Sequence, residues 1–227
     1  MKTKNRLLML CASFLISLGV CAQSWTEPRL PSENLESLSS SEIVYFYNVE
    51  ADAFLINGMD WNTNACATRL VDGDMKASEA QQCHAYVGGG KVRIKLKRFA
   101  DYFISCLGDD DNNIYVDQNE GQYFTYTETQ EGSGIYTLNN DRFGDDLDVS
   151  WAYGGHLTTV EGDGRTKWAF IKEENITNGT YMAYKARKAL YGMYKAVVDA
   201  GKADVYAGRL ADAYEVYASS EATPAEI

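Results

Sequence analysis

The chain has 227 residues, of which 45% are hydrophobic and 23% are charged; these proportions are typical of a globular protein and exclude wholesale disorder. Its net charge of -11 argues against nucleic acid as the main partner, because binding to phosphates needs a concentrated positive surface. The two histidines, His84 and His156, are too few for a zinc site built on several histidines.

The first 22 residues have the pattern of a secretory signal peptide. A basic start precedes an apolar run over residues 7–20, which is too short to span a bilayer. Small residues then offer a cleavage site before Gln23. The pattern predicts a secreted protein, or one exported to the periplasm or cell surface, with no transmembrane segment. Lipid attachment at Cys21 is the alternative, although Val20 fits that motif poorly.

The next 155 residues change from an irregular segment to a β-rich one. Residues 23–41 contain Pro, Ser and Glu without periodicity, which predicts a linker. Residues 42–177 contain short alternating or aromatic runs separated by Gly, Asn and Asp, which are typical of an all-β sandwich or barrel. The predicted strands include residues 43–47, 92–96, 123–127, 135–138 and 168–171.

A weak threefold repeat favours a β-trefoil over a sandwich. Pairs of short apolar runs recur at intervals of about 45 residues. Three four-strand units are what a β-trefoil requires, since one unit alone cannot bury its apolar face. A sandwich remains the alternative. The first runs of the three pairs begin at Phe54, Phe103 and Leu147, and the second runs begin at Ala65, Ile114 and Leu157.

Residues 178–227 predict a C-terminal α-helical hairpin. Apolar residues fall at helical spacing from Tyr181 onward, Gly201 marks the end of a first helix, and Asp204 is a possible N-cap for a second. Residues 223–226 have the pattern of a helix start. We therefore expect an incomplete helical segment of a longer protein, with a frayed tail as the alternative.

Four segments resemble a known family. Residues 45–49, 54–58 and the Asp60-Trp61 pair are similar to ricin-B-type β-trefoil modules, specifically those that begin large secreted proteins of gram-negative bacteria. The closing segment, residues 167–171, resembles the aromatic repeat end of such trefoils. The resemblance covers about residues 24–175 and implies glycan binding, with the helical tail as a spacer.

A sugar site of this kind needs an aromatic face for the C–H surface of the sugar and an acid or amide for its hydroxyl groups. Residues of both types occur in the first and third repeats. The alternative is that both tryptophans pack against the base of the barrel, because tryptophan is usually largely buried. The predicted carbohydrate-binding residues are Asp60, Trp61 and Asn62 in the first repeat and Asp148, Trp151, Tyr153 and His156 in the third.

The acidic run that begins at Asp109 has calcium-loop spacing as far as Glu120. Ile114 stands where such a loop needs glycine, and residues 114–116 have a strand pattern. The run therefore predicts a solvated turn, and we expect neither a metal nor another cofactor.

Three cysteines remain after removal of the signal peptide: Cys66, Cys83 and Cys106. One disulfide with one free thiol and three free thiols are both compatible with this count. Cys83 and His84 are adjacent, which does not bring the thiol and the imidazole face to face.

No acid–base or nucleophile constellation emerges, so we do not expect an enzyme. The sequence predicts a non-catalytic carbohydrate-binding module, part of a larger secreted protein, with a glycan or cell-surface polysaccharide as its partner. The alternative is a protein–protein interaction or structural module of a secreted multidomain protein.

Overall fold

The computed structural model of the protein divides into two units. The trefoil unit is Pro31–Asn178, and the described residues of the helical unit are 23–30 together with Gly179–Ile227. The structure describes residues 23–57, 65–68, 81–97, 102–106, 114–118, 121–151, 155–159, 162–176 and 179–227.

The described part of the trefoil unit contains twelve β-strands, all paired antiparallel. In chain order they are β1 (Val44–Asn48), β2 (Ala53–Asn57), β3 (Ala65–Thr68), β4 (Gln82–Gly88), β5 (Lys91–Leu96), β6 (Phe103–Cys106), β7 (Ile114–Gln118), β8 (Phe124–Glu128), β9 (Ile135–Asn140), β10 (Asp148–Ser150), β11 (His156–Thr158) and β12 (Trp168–Lys172).

Six of these strands close a barrel. The pairing runs from β1 to β4, β5, β8, β9 and β12, and β12 pairs with β1 again. The other strands form three hairpins, β2–β3, β6–β7 and β10–β11. The same four-strand unit therefore occurs three times, which defines a β-trefoil. The predicted fold class, a mostly β chain with a trefoil barrel and a C-terminal helical hairpin, is confirmed, and the sandwich alternative is wrong.

The barrel interior is filled by large apolar side chains from the first and last strands. Phe46 on β1 stacks on Trp168 of β12 with ring centroids 4.3 Å apart, and both are fully buried. Trp168 also donates its indole N–H to the carbonyl oxygen of Leu147 at 2.8 Å. Because a buried indole needs an acceptor, this bond fixes the ring between two repeats.

Two buried asparagines occupy equivalent positions in the first and third repeats. This equivalence was not predicted from the sequence. Asn48 ends β1 and Asn140 ends β9. The Asn48 Oδ1 atom accepts two backbone N–H groups at 3.1 and 2.8 Å, and Asn140 Oδ1 accepts two at 2.8 and 3.3 Å. Both side chains thus accept hydrogen bonds from backbone N–H groups of the turn that leads from a barrel strand into a hairpin.

Part of the predicted linker lies in the trefoil unit. Residues 31–41 include one helical turn, Leu35–Ser37, and Leu35 is completely buried. The backbone N–H of Leu35 donates to the phenol oxygen of Tyr136 at 3.1 Å, and that of Glu33 donates to the carbonyl of Phe170 at 2.9 Å. This segment therefore packs on the barrel from residue 31 onward.

The helical unit contains α1 (Thr180–Asp199) and α2 (Ala207–Ala218). Gly201 has a left-handed φ of 66°, and the backbone N–H groups at 201 and 202 donate to the carbonyls of Val198 and Val197 at 2.8 and 3.0 Å. This is the helix end that glycine favours, and the predicted role of Gly201 is confirmed. Asp204 lies in a turn before Tyr206, the N-cap residue of α2, so the predicted Asp204 cap is wrong.

The first residues after 22 belong to the helical unit through an aromatic cluster. Trp25 stacks on Tyr194 of α1, with ring centroids 4.4 Å apart, and contacts Tyr214 and Tyr217 of α2 at 5.3 and 4.7 Å. The Tyr217 hydroxyl donates to the carbonyl of Thr26. Burial raises the pKa of Tyr217.

Residues 223–226 adopt the predicted capping arrangement. The carboxylate of Glu226 accepts the backbone N–H and the hydroxyl of Thr223, both at 2.8 Å. The backbone bond lowers the pKa of Glu226. Across the described residues, no helix combines the length and the apolarity needed to cross a membrane.

Cys83 and His84 point in opposite directions from β4. Cys83 is fully buried, whereas His84 is half-buried and its Nδ1 atom lies 2.9 Å from the carbonyl oxygen of Glu42. Alternation along a strand separates the two side chains, so they form no nucleophilic pair.

We expect Cys83 in the native protein to resist alkylation at about pH 8, where reactive thiols are labelled. Burial raises the pKa of Cys83 to about 12, so the thiol stays protonated and out of reach of the reagent. Peptide mass spectrometry after brief treatment with iodoacetamide measures this, with the protein unfolded in guanidinium as the control. Equal labelling of Cys83 in the native and unfolded samples would contradict the prediction.

Candidate functional site

The third-repeat hairpin, β10–β11, forms the base of the candidate site. Ser150 pairs with His156 across the hairpin, and the backbone N–H of Gly155 donates to the carbonyl of Ser150 at 2.9 Å. Trp151 directly follows β10 and therefore begins the connection between the strands. Strand pairing thus fixes where the Trp151 backbone leaves the sheet.

Asp148 anchors a second loop beside this hairpin. Its Oδ1 atom accepts the backbone N–H groups of Val149 and Arg165 at 2.6 and 2.7 Å, and its Oδ2 atom accepts that of Gly164 at 2.8 Å. Asp148 is only 8% exposed. Because an added Cβ at Gly162 would lie 2.2 Å from the Asp148 carboxyl, the loop and the carboxylate are in close contact. The structure gives Asp148 a positioning role for residues 162–165.

That loop presents an acid and a base to Trp151. The Oδ2 atom of Asp163 accepts the backbone N–H of Trp151 at 2.8 Å and lies 3.5 Å from Nη1 of Arg165. The guanidinium carbon of Arg165 lies 5.7 Å from the centre of the Trp151 ring, within cation–π range. Both charged side chains are about one-third exposed, so they remain accessible from solvent.

The orientation of Trp151 depends on Gly155. Gly155 has a φ of 84°, and a Cβ at this position would lie 2.8 Å from the Trp151 ring and 2.6 Å from the carbonyl oxygen of Ala67. Only glycine allows both the backbone conformation and the close approach of the ring. Trp151 is half-buried and also packs on the hydrophobic core.

The hairpin is tied to the first repeat. The backbone N–H of Ala67 donates to the carbonyl of Gly155 at 2.7 Å, and His156 pairs with Cys66 of β3. The side chain of Asn48 donates to the carbonyl of Arg165 at 2.7 Å. The first repeat therefore contributes hydrogen bonds to both the loop and the hairpin of the third repeat.

The predicted site residues differ in what the structure describes. Trp151 lies at the surface beside the Asp163–Arg165 pair, Asp148 lies beneath the loop, and His156 is half-buried on β11. The remaining predicted residues lie outside the described residues; they are Asp60, Trp61, Asn62 and Tyr153.

Sequence reasoning missed Asp163 and Arg165. Their signal is the Gly-Asp-Gly-Arg segment at residues 162–165, where two glycines flank an acid and a base follows. Such a segment is typical of a tight loop with charged side chains outside. Its position beside Trp151 is a long-range property that the local pattern does not contain.

The acidic run that resembled a calcium loop lies mostly outside the described residues. Within the described residues, the strand predicted at 114–116 is confirmed as part of β7 (Ile114–Gln118). No group of three or more His, Cys, Asp and Glu side chains in the described ranges could hold a metal ion.

These features define a β-trefoil with a half-exposed tryptophan, an acid and a base on its third repeat. Comparisons with family models and with curated proteins gave no match. Solved structures similar to this chain include a ricin B-like lectin of Macrolepiota procera in complex with lactose, which is 13% identical; the match covers 60% of this chain and 99% of the lectin, with a TM-score of 0.47.

Two further solved structures are similar over a comparable share of the chain. SeviL bound to asialo-GM1 saccharide is 18% identical, with coverage of 58% of this chain and 97% of SeviL and a TM-score of 0.42. The designed threefold-symmetric protein ThreeFoil is 14% identical, with coverage of 57% and 98% and a TM-score of 0.44. The fold assignment for this chain comes from its own strand pairing.

Proposed function

We propose that this protein is a non-catalytic carbohydrate-binding module whose glycan site is built on Trp151. The observation that supports this most directly is the half-exposed Trp151 ring beside an accessible Asp163–Arg165 pair. The ring offers an apolar face to the C–H surface of a sugar. The carboxylate accepts hydrogen bonds from sugar hydroxyls, and the guanidinium donates hydrogen bonds to them.

The hydrogen bonds around Trp151 favour a binding role for this arrangement. The backbone of Trp151 is held by Asp163, the loop is held by Asp148, and Gly155 supports the ring. A ligand therefore meets side chains that are already oriented, which reduces the ordering cost of binding. We assign Asp148 to positioning and Trp151, Asp163 and Arg165 to sugar contact, with His156 at the border of the site.

A second glycan site in the first repeat is part of the same proposal. It uses Asp60, Trp61 and Asn62, while Tyr153 extends the third-repeat site. Stacking a sugar on one aromatic face contributes about 25 cal/mol per Å² of apolar area before ordering costs, so a single shallow site binds weakly. Two sites on one module raise the overall affinity through multivalency.

The proposed setting is the cell exterior. Residues 1–22 act as the signal peptide, and the module then delivers a larger exported protein to a glycan or cell-surface polysaccharide. The competing function is protein–protein interaction through the trefoil loops, which would use the same exposed side chains without any affinity for free sugars.

We expect Trp151→Ala to weaken glycan binding by at least about tenfold, because the substitution removes the stacking face. A glycan array with the wild-type protein first identifies a ligand, and calorimetric titration with that glycan then compares the variants. Trp25→Phe, in the helical unit, is the matched control and should bind like the wild type. Unchanged affinity in Trp151→Ala would refute this placement, and an array without any bound glycan would favour the protein-interaction function.

A further inference from the structure

A cleft of about 310 Å³ opens on the trefoil unit away from the residues of the Trp151 site. Its walls come from the segment before β1, from β4 and β5, and from the residue that precedes β8. The side chains that could contact a ligand are those of Ser40, Tyr86, Arg93 and Tyr123, and Gly88 contributes bare backbone. The volume suits a small ligand such as one sugar ring with its substituents.

Arg93 is held in this cleft by three aromatic rings. Its guanidinium carbon lies 4.8 Å from the ring centre of Tyr123, 4.9 Å from that of Phe103 and 5.9 Å from that of Tyr86. Such contacts fix a long side chain that would otherwise lose entropy on binding. The charge is therefore placed before a ligand arrives.

Arg93 is the middle one of three basic residues on β5. Lys91, Arg93 and Lys95 alternate along β5 with buried Val92 and Ile94, so the three cations share the outer face of one strand. Lys91 pairs with Asp141 at 2.6 Å, and the ammonium group of Lys95 lies 5.8 Å from the ring centre of Phe103. Because Asp141 offsets the charge of Lys91, the attraction of this row for an anion comes from Arg93 and Lys95.

The aromatic wall is open to a ligand. Tyr123 is 46% exposed, and Tyr86 is half-buried across the strand from Arg93. Each tyrosine offers a flat apolar face and a hydroxyl group, and Ser40 adds a second type of hydroxyl. Polar groups around a flat apolar face suit a hydroxylated ring better than a hydrocarbon.

We propose that this cleft binds a sugar acid, with its carboxylate on Arg93 and its ring against Tyr123. The planar guanidinium fork matches the two oxygens of a carboxylate, which a neutral sugar lacks. This site is independent of the Trp151 site, so either can exist without the other.

The proposal is tested with methyl β-D-glucuronide as the probe and methyl β-D-glucoside as the neutral match, added to the ¹⁵N-labelled mature chain and followed by NMR. The glucuronide should shift the amide signals of Val87, Gly88 and Tyr123, and its affinity should exceed that of the glucoside by about tenfold. Raising the salt concentration should weaken the glucuronide alone.

Two variants and two controls locate the binding. Arg93→Lys keeps the charge but removes the fork, and we expect a loss of about tenfold in glucuronide affinity. Gly88→Leu should block the cleft without strain, because Gly88 is not left-handed and a Cβ there meets nothing within 4 Å. Arg142→Ala, which removes another arginine that lies over an aromatic ring, should bind like the wild type, and Trp151→Ala tests whether the glucuronide occupies the Trp151 site instead.

The outcomes separate cleanly. Equal affinity for the two glycosides, or unchanged glucuronide binding in both Arg93→Lys and Gly88→Leu, overturns the sugar-acid site. Loss of glucuronide binding in Trp151→Ala overturns it as well, and assigns the acid to the third-repeat site instead. If Trp151→Ala binds the array glycan as tightly as the wild type, the Trp151 site is refuted, but the glucuronide measurements on the Arg93 cleft keep their meaning.

Discussion

Replacing Asp148 with alanine is expected to lower the free energy of unfolding by about 3 kcal/mol, since three backbone N–H groups lose a charged acceptor. The same change releases the loop of residues 162–165, so glycan binding should fall together with stability. Urea unfolding followed by tryptophan fluorescence measures the first effect, and calorimetric titration measures the second.

Asp163→Ala is the matched control for that experiment. Asp163 accepts one backbone N–H and is about one-third exposed, so its loss should cost less than about 1 kcal/mol while still weakening sugar contact. The two aspartates thus separate positioning from contact. Equal stability losses in the two variants would refute the anchoring role of Asp148.

Trp168→Ala is expected to cost about 3–5 kcal/mol in the free energy of unfolding, because it leaves a large cavity at the barrel closure. Trp168 is fully buried, stacks on Phe46 at 4.3 Å and donates to the carbonyl of Leu147. The midpoint of urea unfolding should therefore shift strongly, with little change in the denaturant slope.

Trp168→Phe gives a graded test of the same contact. Phenylalanine keeps a ring against Phe46 but removes the indole donor, so we expect a loss of about 2 kcal/mol. A value close to that of Trp168→Ala would assign the effect to the Leu147 bond rather than to volume. A value near zero in both variants would show that the Trp168 side chain contributes little to the stability of the barrel.

The trefoil was predictable because each of its three repeats has the same local sequence pattern of apolar runs and turns. Each hairpin places apolar runs on both sides of a turn, and the runs that begin at Phe54, Phe103 and Leu147 recur at similar intervals. The symmetry of Asn48 and Asn140 was not recognised, because an asparagine in a turn is common and only its buried hydrogen bonds distinguish these two.

The candidate site was predictable only in part. Trp151 was identified by residue type and by its place in the third repeat. The burial of Asp148 and the approach of Arg165 depend on contacts between residues 17 positions apart, which alternation and propensity do not encode. The cleft around Arg93 was harder to predict than the Trp151 site, since Ser40, Tyr86 and Tyr123 come from three separate parts of the chain.

The helical unit is discontinuous in the chain, and this has a consequence for the order of folding. The bond between Tyr217 and Thr26 joins residues 191 positions apart. Closing such a loop in an unfolded chain costs on the order of 5 kcal/mol in entropy. Folding of the trefoil removes most of that cost, because its first and last strands pair side by side.

The effective concentration of the Trp25 segment near α1 and α2 is therefore supplied by the trefoil. During synthesis, the aromatic cluster cannot assemble until the whole barrel has emerged from the ribosome, since the tyrosines that complete it come last. In the finished protein, unfolding of the barrel should weaken the contacts of Trp25 with α1 and α2, because the two segments of the helical unit would then be joined only by a long unfolded chain.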